Sequence, residues 1–307
     1  MSQPTLIKVL DARIFGKSLL SAFLRINDWI LRLLPSRTLN WGPGYAYGKF
    51  LHTIARLRPT REVYFGTFFL RNRPQLELLL RLIQGGEKSR SLNIAILGCS
   101  IGAETYSIAW TIHSRRPDIK MAMTAVDISS KAIEFARKGA YPLQGSDFTD
   151  EQIFARLTAQ EMKDLFHREG DSLVVQDEIR AGIAWEAGDA ADPALADRLG
   201  PQDIVFANNF LCHLYPSHAE KCLHSIVATV KPGGYLFVSG VDLDIRTRVA
   251  KELGLEPVTD LIEEIHAGDN SLRKDWPLRY WGLEPFDRRR ADWKERYSSV
   301  FRVPAPQ

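Results

Sequence analysis

The run Gly98-Cys99-Ser100-Ile101-Gly102-Ala103-Glu104 follows an apolar stretch, residues 92–97, and opens a helical pattern. Glycines here let the backbone approach a ligand, and a helix start offers unpaired N–H groups. Alone the run is weak. It is not the G-x-G-x-x-G fingerprint, and a glycine at such a turn can serve packing only. Asp127 stands 25 residues after Gly102, closing a second apolar stretch at 121–126. A carboxylate at that strand end is placed to accept hydrogen bonds from ribose hydroxyls, although it could instead cap the following helix. Gly188-Asp189-Ala190 follows a third expected strand, where a carboxylate could accept from an adenine amino group. Together these residues predict a nucleoside cofactor at the carboxyl edge of a parallel sheet.

A second cluster, Cys212, His213, His218, Cys222 and His224, brings metal-ligand types together. Its spacing fits no usual zinc pattern and straddles two helix faces, so no metal site is expected. The sparse, odd count of three cysteines argues against a disulfide framework and for a reducing compartment, the cytoplasm.

Alternating strands and helices must position these residues. Short buried strands are expected at 92–97, 121–126, 203–207 and 235–240, with shorter ones within 171–187. Helices are expected at 103–116, 129–140 (with Ser129 as a plausible N-cap), 217–230 and 246–254, and over 147–170. KPGG (231–234) reads as a turn, 279–283 as an edge strand and 287–297 as helical. The pattern is α/β with a parallel sheet.

Residues 5–90 read as mostly helical. Phe15, Leu19, Phe23, Ile26, Ile30 and Leu33 recur at helical spacing, ended by Pro35; WGPGYAYG (41–48) reads as a loop; another helix starts at Arg73-Pro74 and closes at Gly85-Gly86. Two regions follow: a basic helical region and linker over 1–90, and a catalytic domain with an elaborated tail over 91–307. Residues 1–90 carry 15 Lys+Arg and 5 Asp+Glu, and residues 91–307 carry 25 and 32. The basic front suits an anionic partner or membrane surface, or is a solvated surface with no ligand. Apolar residues are 45% and charged residues 25% of 307, an ordinary globular mix. No run approaches the length of a membrane span, no secretory signal is visible, and no nucleic-acid partner is expected.

The ordered set formed by the Gly98 loop, Asp127, Asp189, residues 203–209 (DIVFANN) and residues 230–240 (VKPGGYLFVSG) is the layout of S-adenosylmethionine methyltransferases, not of hydride-transfer enzymes. More specifically, the chain resembles the CheR-type methyltransferases, which methylate glutamates of bacterial chemoreceptors. The resemblance rests on Thr67-Phe68-Phe69-Leu70-Arg71, on S-x-G-x-E-x-Y-S-I-A over 100–109, on Val126-Asp127-Ile128, on 136–141 (ARKGAY), on Asn209-Phe210-Leu211 and on Lys231-Pro232-Gly233-Gly234. It covers roughly residues 63–240 and implies a Rossmann-like class I sheet. It also implies roles. Thr67 and Arg71 would reach over the cofactor, with Arg71 near the methionine carboxylate and the transferred methyl. Gly98, Ser100 and Gly102 would form the cofactor loop. Glu104 would bind the ammonium group, Asp127 with Ile128 the ribose side, Asp189 and Ala190 the adenine, and Asn209 and Phe210 the methionine portion.

Departures from the family are informative. Its tyrosine near the methyl is His213 here, and its arginine before the asparagine is Asn208. A carboxylate acceptor is already ionised and needs no base, whereas a hydroxyl benefits from one. His213 is a plausible general base, or a pocket-wall histidine. The first 60 residues do not match the family's helical domain, and no small β-subdomain is recognisable. In the tail, Trp276, Tyr280, Trp281 and Phe286 could line a substrate pocket or fill a core. The expected function is therefore S-adenosylmethionine-dependent methylation, most simply on an oxygen of a specialised small-molecule, lipid or saccharide acceptor. Protein-glutamate methylation and a non-catalytic cofactor-binding regulator are the alternatives.

Overall fold

In the computed structural model, the residues described are 13–14, 17–33, 42–55, 66–84, 91–146, 149, 151–268 and 284–305. The expected edge strand at 279–283, Gly85-Gly86, Phe15, Trp276, Tyr280 and Trp281 lie outside them.

The chain forms two units, residues 1–61 with 271–287, and residues 62–270 with 288–307. The first holds a short antiparallel pair, β1 (Arg13–Ile14) and β2 (Lys17–Ser18), and two helices, Leu19–Leu33 and Gly42–Ala55. The second helix replaces the loop expected at 41–48. Pro43 sits in its first turn, where the missing N–H is not needed. Leu24 and Leu31 of the first helix pack with Leu51 of the second.

The second unit is built on a seven-stranded sheet. Its strands are β3 (Ser91–Leu97), β4 (Lys120–Asp127), β8 (Ile183–Ala187), β9 (Gln202–Asn208), β10 (Val230–Ser239), β11 (Glu256–Pro257) and β12 (Val300–Arg302), and their order is β11-β12-β10-β9-β3-β4-β8. The pairs β8–β4, β4–β3, β3–β9 and β9–β10 are parallel, and β12 runs antiparallel to β10 and β11. This is the α/β class I arrangement expected. Every residue of β9 is buried, as a central parallel strand covered on both faces requires. Ile96 sits opposite Ala125 on one side and Phe206 on the other, and the Phe206 and Phe237 rings stack at 4.4 Å.

Helix Arg73–Gln84 belongs to this unit. Its Leu78, Leu79 and Ile83 lie in the main core, which a helical stripe of leucines next to a glycine pair did not disclose.

Three further expectations need correcting. KPGG lies inside β10, as a bulge between the pairs Val230–Gln202 and Tyr235–Ile204. Residues 147–170 are not one helix. They hold a 3₁₀ turn at Glu151–Phe154, a helix at Ala159–Leu165 begun by a Thr158/Glu161 capping box, and a strand. Of residues 287–297 only Trp293–Tyr297 is helical.

That strand, β6 (Phe166–Glu169), pairs with β7 (Ser172–Val175), which pairs with β5 (Ala140–Pro142), all antiparallel. A small β-sheet is thus inserted between β4 and β8; β7 falls within the short strands expected at 171–187, whereas β5, β6 and their assembly into a separate sheet were not expected. Its strands are three or four residues long, too short for alternation to register. Phe166 and Tyr141 from this sheet join Phe69 and Phe154 in edge-on and stacked contacts at 4.9–6.3 Å.

Candidate functional site

Strand order reverses between β3 and β9, and ligands of open parallel sheets bind at the carboxyl ends of such a pair. The loops after β3, β4, β8 and β9 carry most of the residues singled out from sequence.

The loop after β3 is shaped by backbone conformation. Gly98, Ser100 and Gly102 all have positive φ, at 69°, 50° and 89°. Gly102 ends the loop against Trp185 and Ala136; a Cβ there would lie 2.9 Å and 3.0 Å from those side chains. Two tyrosine hydroxyls pin the surroundings. Tyr106 donates to the Ala136 carbonyl at 2.6 Å, and Tyr141 donates to the Ile101 carbonyl at 2.7 Å. Burial pushes the ionisation of both phenols upward, so they act as neutral struts.

Asp127 closes β4 and is tied into the loop. Its Oδ2 accepts from the Ser100 N–H at 2.8 Å, and its Oδ1 accepts from the Ser129 N–H at 2.9 Å. Ser129 itself caps the next helix by accepting from Ala132 N–H. The carboxylate is therefore oriented by backbone on both oxygens and keeps free lone pairs for hydroxyl donors. Beside it Ile128 is 64% exposed, an apolar surface next to the carboxylate. Gly188 N–H donates to the Asp127 carbonyl at 2.9 Å, which sets the β8 loop alongside. There Asp189 accepts from Ala191 N–H at 2.9 Å in a local turn and stays exposed, and Ala190 packs partly buried.

Glu104, in the first turn of helix Ala103–Arg115, accepts from the Asn208 side-chain amide at 2.7 Å. Asn208 Nδ2 also reaches Gln75 Oε1 at 3.0 Å, and Asn208 Oδ1 accepts from the Ser239 hydroxyl at 2.8 Å. Gln75 is 4% exposed, and its Nε2 has no partner. An orphaned buried donor beside an anchored carboxylate fits a site built for a polar ligand. Gln75 was not singled out from sequence, because it lies 133 residues from its partner.

The loop after β9 is held by close approach. Asn209 has φ of 63° and donates its N–H to the Ser239 carbonyl at 3.0 Å. Phe210 packs on Gly98, where a Cβ would lie 2.5 Å from the ring. The chain then turns through a 3₁₀ segment, Leu211–His213, closed by His213 N–H on the Phe210 carbonyl at 3.0 Å. The His213 side chain is exposed.

Thr67 and Arg71 arrive on the segment before helix Arg73–Gln84, and both are half-buried. Leu70 N–H donates to Ser107 Oγ at 2.9 Å, and Ser107 Oγ donates to the Ala103 carbonyl at 2.6 Å. Ser107 thereby ties the segment bearing Arg71 to the helix bearing Glu104. Arg156 donates to the Arg71 carbonyl and lies 4.7 Å over the Phe68 ring; the Arg71 guanidinium lies 5.9 Å from the same ring.

Among the described residues no group of His, Cys, Asp and Glu could hold a metal ion. Cys99 and Cys222 are buried thiols; burial raises both, Cys222 to about 12, and Asp127 adds to the rise at Cys99. They are inert core groups. Phe286 is half-buried.

The residues present fit S-adenosylmethionine. Asp127 is fixed by two backbone N–H groups and could accept from ribose hydroxyls, Glu104 is anchored by Asn208 and could meet an ammonium, and glycines of positive φ shape the loop between them.

Comparison with known proteins agrees. The family model "CheR methyltransferase, SAM binding domain" matches residues 66–246. A "Chemotaxis protein methyltransferase" of Vibrio parahaemolyticus is 29% identical over 156 residues, covering 48% of this chain and 53% of that protein. The "Probable biofilm formation methyltransferase WspC" of Pseudomonas aeruginosa is 26% identical over 170 residues, covering 55% of this chain and 37% of its own. The chain spans about half the length of the chemotaxis relatives it matches. Among solved structures, the magnesium protoporphyrin IX methyltransferase of Synechocystis PCC 6803 aligns with 84% of this chain and 88% of its own, at 11% identity and a TM-score of 0.37. The family match covers more than half of the chain and every loop described above, and the chain therefore belongs to the CheR methyltransferase family.

Proposed function

We propose that the protein transfers the methyl group of S-adenosylmethionine to a side-chain carboxylate of another protein. The observation that carries the cofactor half is Asp127, gripped by Ser100 and Ser129 N–H groups at the switch point of the sheet. Three observations support the acceptor half. Arg71, which the family resemblance puts near both the methionine carboxylate and the transferred methyl, stands on a segment tied to the Glu104 helix, where its guanidinium could also orient an acceptor carboxylate. A three-stranded sheet is inserted beside that segment, with Phe69 packed on Tyr141 and Phe166. The relatives reported above carry names of chemotaxis and biofilm-formation methyltransferases.

The bound cofactor supplies an already activated sulfonium methyl. The chain's residues orient it: Asp127 holds the ribose, Glu104 the ammonium, and Phe210 with the Gly98 loop shapes the methionine end. An ionised acceptor oxygen then needs only alignment and exclusion of water. A second reading, favoured by His213 in place of the family's tyrosine and by Asn208 in place of its arginine, is a hydroxyl of a specialised small molecule, lipid or saccharide, with His213 as base.

The test has two stages. S-adenosylhomocysteine at 100 times its dissociation constant should stabilise the fold by about 2.7 kcal/mol; no thermal shift at millimolar ligand removes the methyltransferase reading. Incubation with methyl-labelled cofactor and a lysate of the source organism should then label protein through a base-labile ester. A base-stable label, as a methyl ether gives, moves the reading to the hydroxyl. His213→Ala separates the two again. A carboxylate acceptor predicts single-turnover rates within a few-fold of wild type and a flat pH profile. A hydroxyl acceptor predicts a loss of about 10²–10⁴-fold and a wild-type rate that rises with pH as the base loses its proton.

A further inference from the structure

Helix Leu19–Leu33 carries two apolar faces. The first is used inside its own unit: Leu24 and Leu31 meet Leu51. Asn27, buried between them in sequence, donates to the Phe23 carbonyl at 2.8 Å and accepts from the Tyr47 hydroxyl at 2.6 Å. The second face is Phe23, Ile26, Ile30 and Leu33, with Trp29 beside them. All five are exposed, Ile26 by 58%, Trp29 by 64% and Leu33 by 66%. At about 100° per residue they fall in an arc of about 120° that contains no charged residue, with Arg25 and Asp28 outside it. Single exposed apolar side chains need no explanation; a contiguous set of five large ones does.

Charge names the occupant. Residues 1–61 hold ten Lys+Arg, two Asp and no Glu, against 30 Lys+Arg and 35 Asp+Glu in residues 62–307. A second copy of so basic a region would be repelled. An anionic surface would be attracted, and an apolar arc with Trp and Phe suits the boundary between headgroups and acyl chains. No helix among the described residues is long and apolar enough to cross a membrane, so this one would lie in the surface plane. We propose that the outward face of helix Leu19–Leu33 docks on an anionic lipid bilayer, to which the positive charge carried by residues 1–61 attracts it.

The test is flotation of the whole chain with vesicles of phosphatidylcholine alone, or mixed with phosphatidylglycerol, at about 0.05 M and about 0.5 M salt. Flotation with the anionic vesicles at low salt is expected, at least about tenfold weaker at high salt or with neutral vesicles. The variant Ile26→Ser, Trp29→Ser, Leu33→Ser should bind at least about tenfold less at low salt, with an unchanged cooperative melt. If that variant does not fold, the variant Arg25→Glu, Lys49→Glu leaves the arc intact and should float at least about threefold less. No flotation of wild type at low salt overturns the proposal, as does either folded variant floating like wild type. A wild-type dimer that the serine variant converts to monomer, without flotation, makes the face an interface between copies instead.

Discussion

Asp127→Ala should weaken S-adenosylhomocysteine binding by about 10²–10⁴-fold. A ribose offers two hydroxyls, and a hydrogen bond to a charged group is worth roughly 1.5–3 kcal/mol; two of them give that range at about 1.4 kcal/mol per decade. The substitution also removes the acceptor for Ser100 N–H and Ser129 N–H, so the loop after β3 loses its tie to β4. Asp127→Asn is the informative companion. It keeps the size and one acceptor oxygen but turns the other acceptor into a donor facing an N–H, so it should recover only part of the loss. Calorimetric titration of both variants checks the expectation. Affinities within threefold of wild type in folded protein would place the ribose elsewhere.

The consequence for catalysis follows from geometry. The Ser100–Asp127 bond and the Gly188–Asp127 bond join the loops after β3, β4 and β8 into one edge. The Asn208 amide joins Glu104 to Gln75 and Ser239, which brings the loop after β9 and helix Arg73–Gln84 to the same edge. On the proposed function methyl transfer is an alignment problem, and these bonds would hold the residues that align it.

Much of this edge was legible in the sequence because it is local. Strands β3, β4 and β9 are short apolar runs, and Gly98–Glu104 and Asp127 each stand at the end of one. The motif over 100–109 divides into a member at the carboxyl edge of the sheet and members buried beneath it. Glu104 faces the site, whereas Tyr106 and Ser107 are buried and hold the loop and the Arg71 segment. Sequence spacing could not make that division. It also hid the Gln75–Asn208 pair, since contacts between residues more than a hundred positions apart leave no periodic trace. The inserted sheet was hidden for a different reason: β7 falls within the short strands expected at 171–187, but its partners β5 and β6 have only three and four residues. Helix Gly42–Ala55 was missed because glycine and proline, read as breakers, occupy a first turn that tolerates them.

Gly240→Ala should cost about 2–5 kcal/mol of stability and remove measurable cofactor binding. Gly240 has φ of 64° and follows β10 at the point where Asn209 crosses it. A Cβ there would lie 2.3 Å from the Asn209 Cα and 2.7 Å from its nitrogen, backbone atoms that no rotamer change can move away. Alanine in the left-handed region costs about 1–2 kcal/mol, and overpacking adds about 1–3 kcal/mol. Relief can come only by displacing Asn209, which already holds the unusual φ of 63° and bonds the Ser239 carbonyl through its N–H. Asn208 and Phe210 move with it, and with them the anchor of Glu104 and the wall on Gly98. Gly254→Ala supplies the control. Gly254 has nearly the same φ, 62°, but nothing within 4 Å of its would-be Cβ. It should lose only the conformational part, about 1–2 kcal/mol, and bind cofactor like wild type. Thermal unfolding and cofactor titration of the pair read the difference. If both variants lose the same stability and both still bind, the close approach of Asn209 to Gly240 does not hold the β9 loop in place.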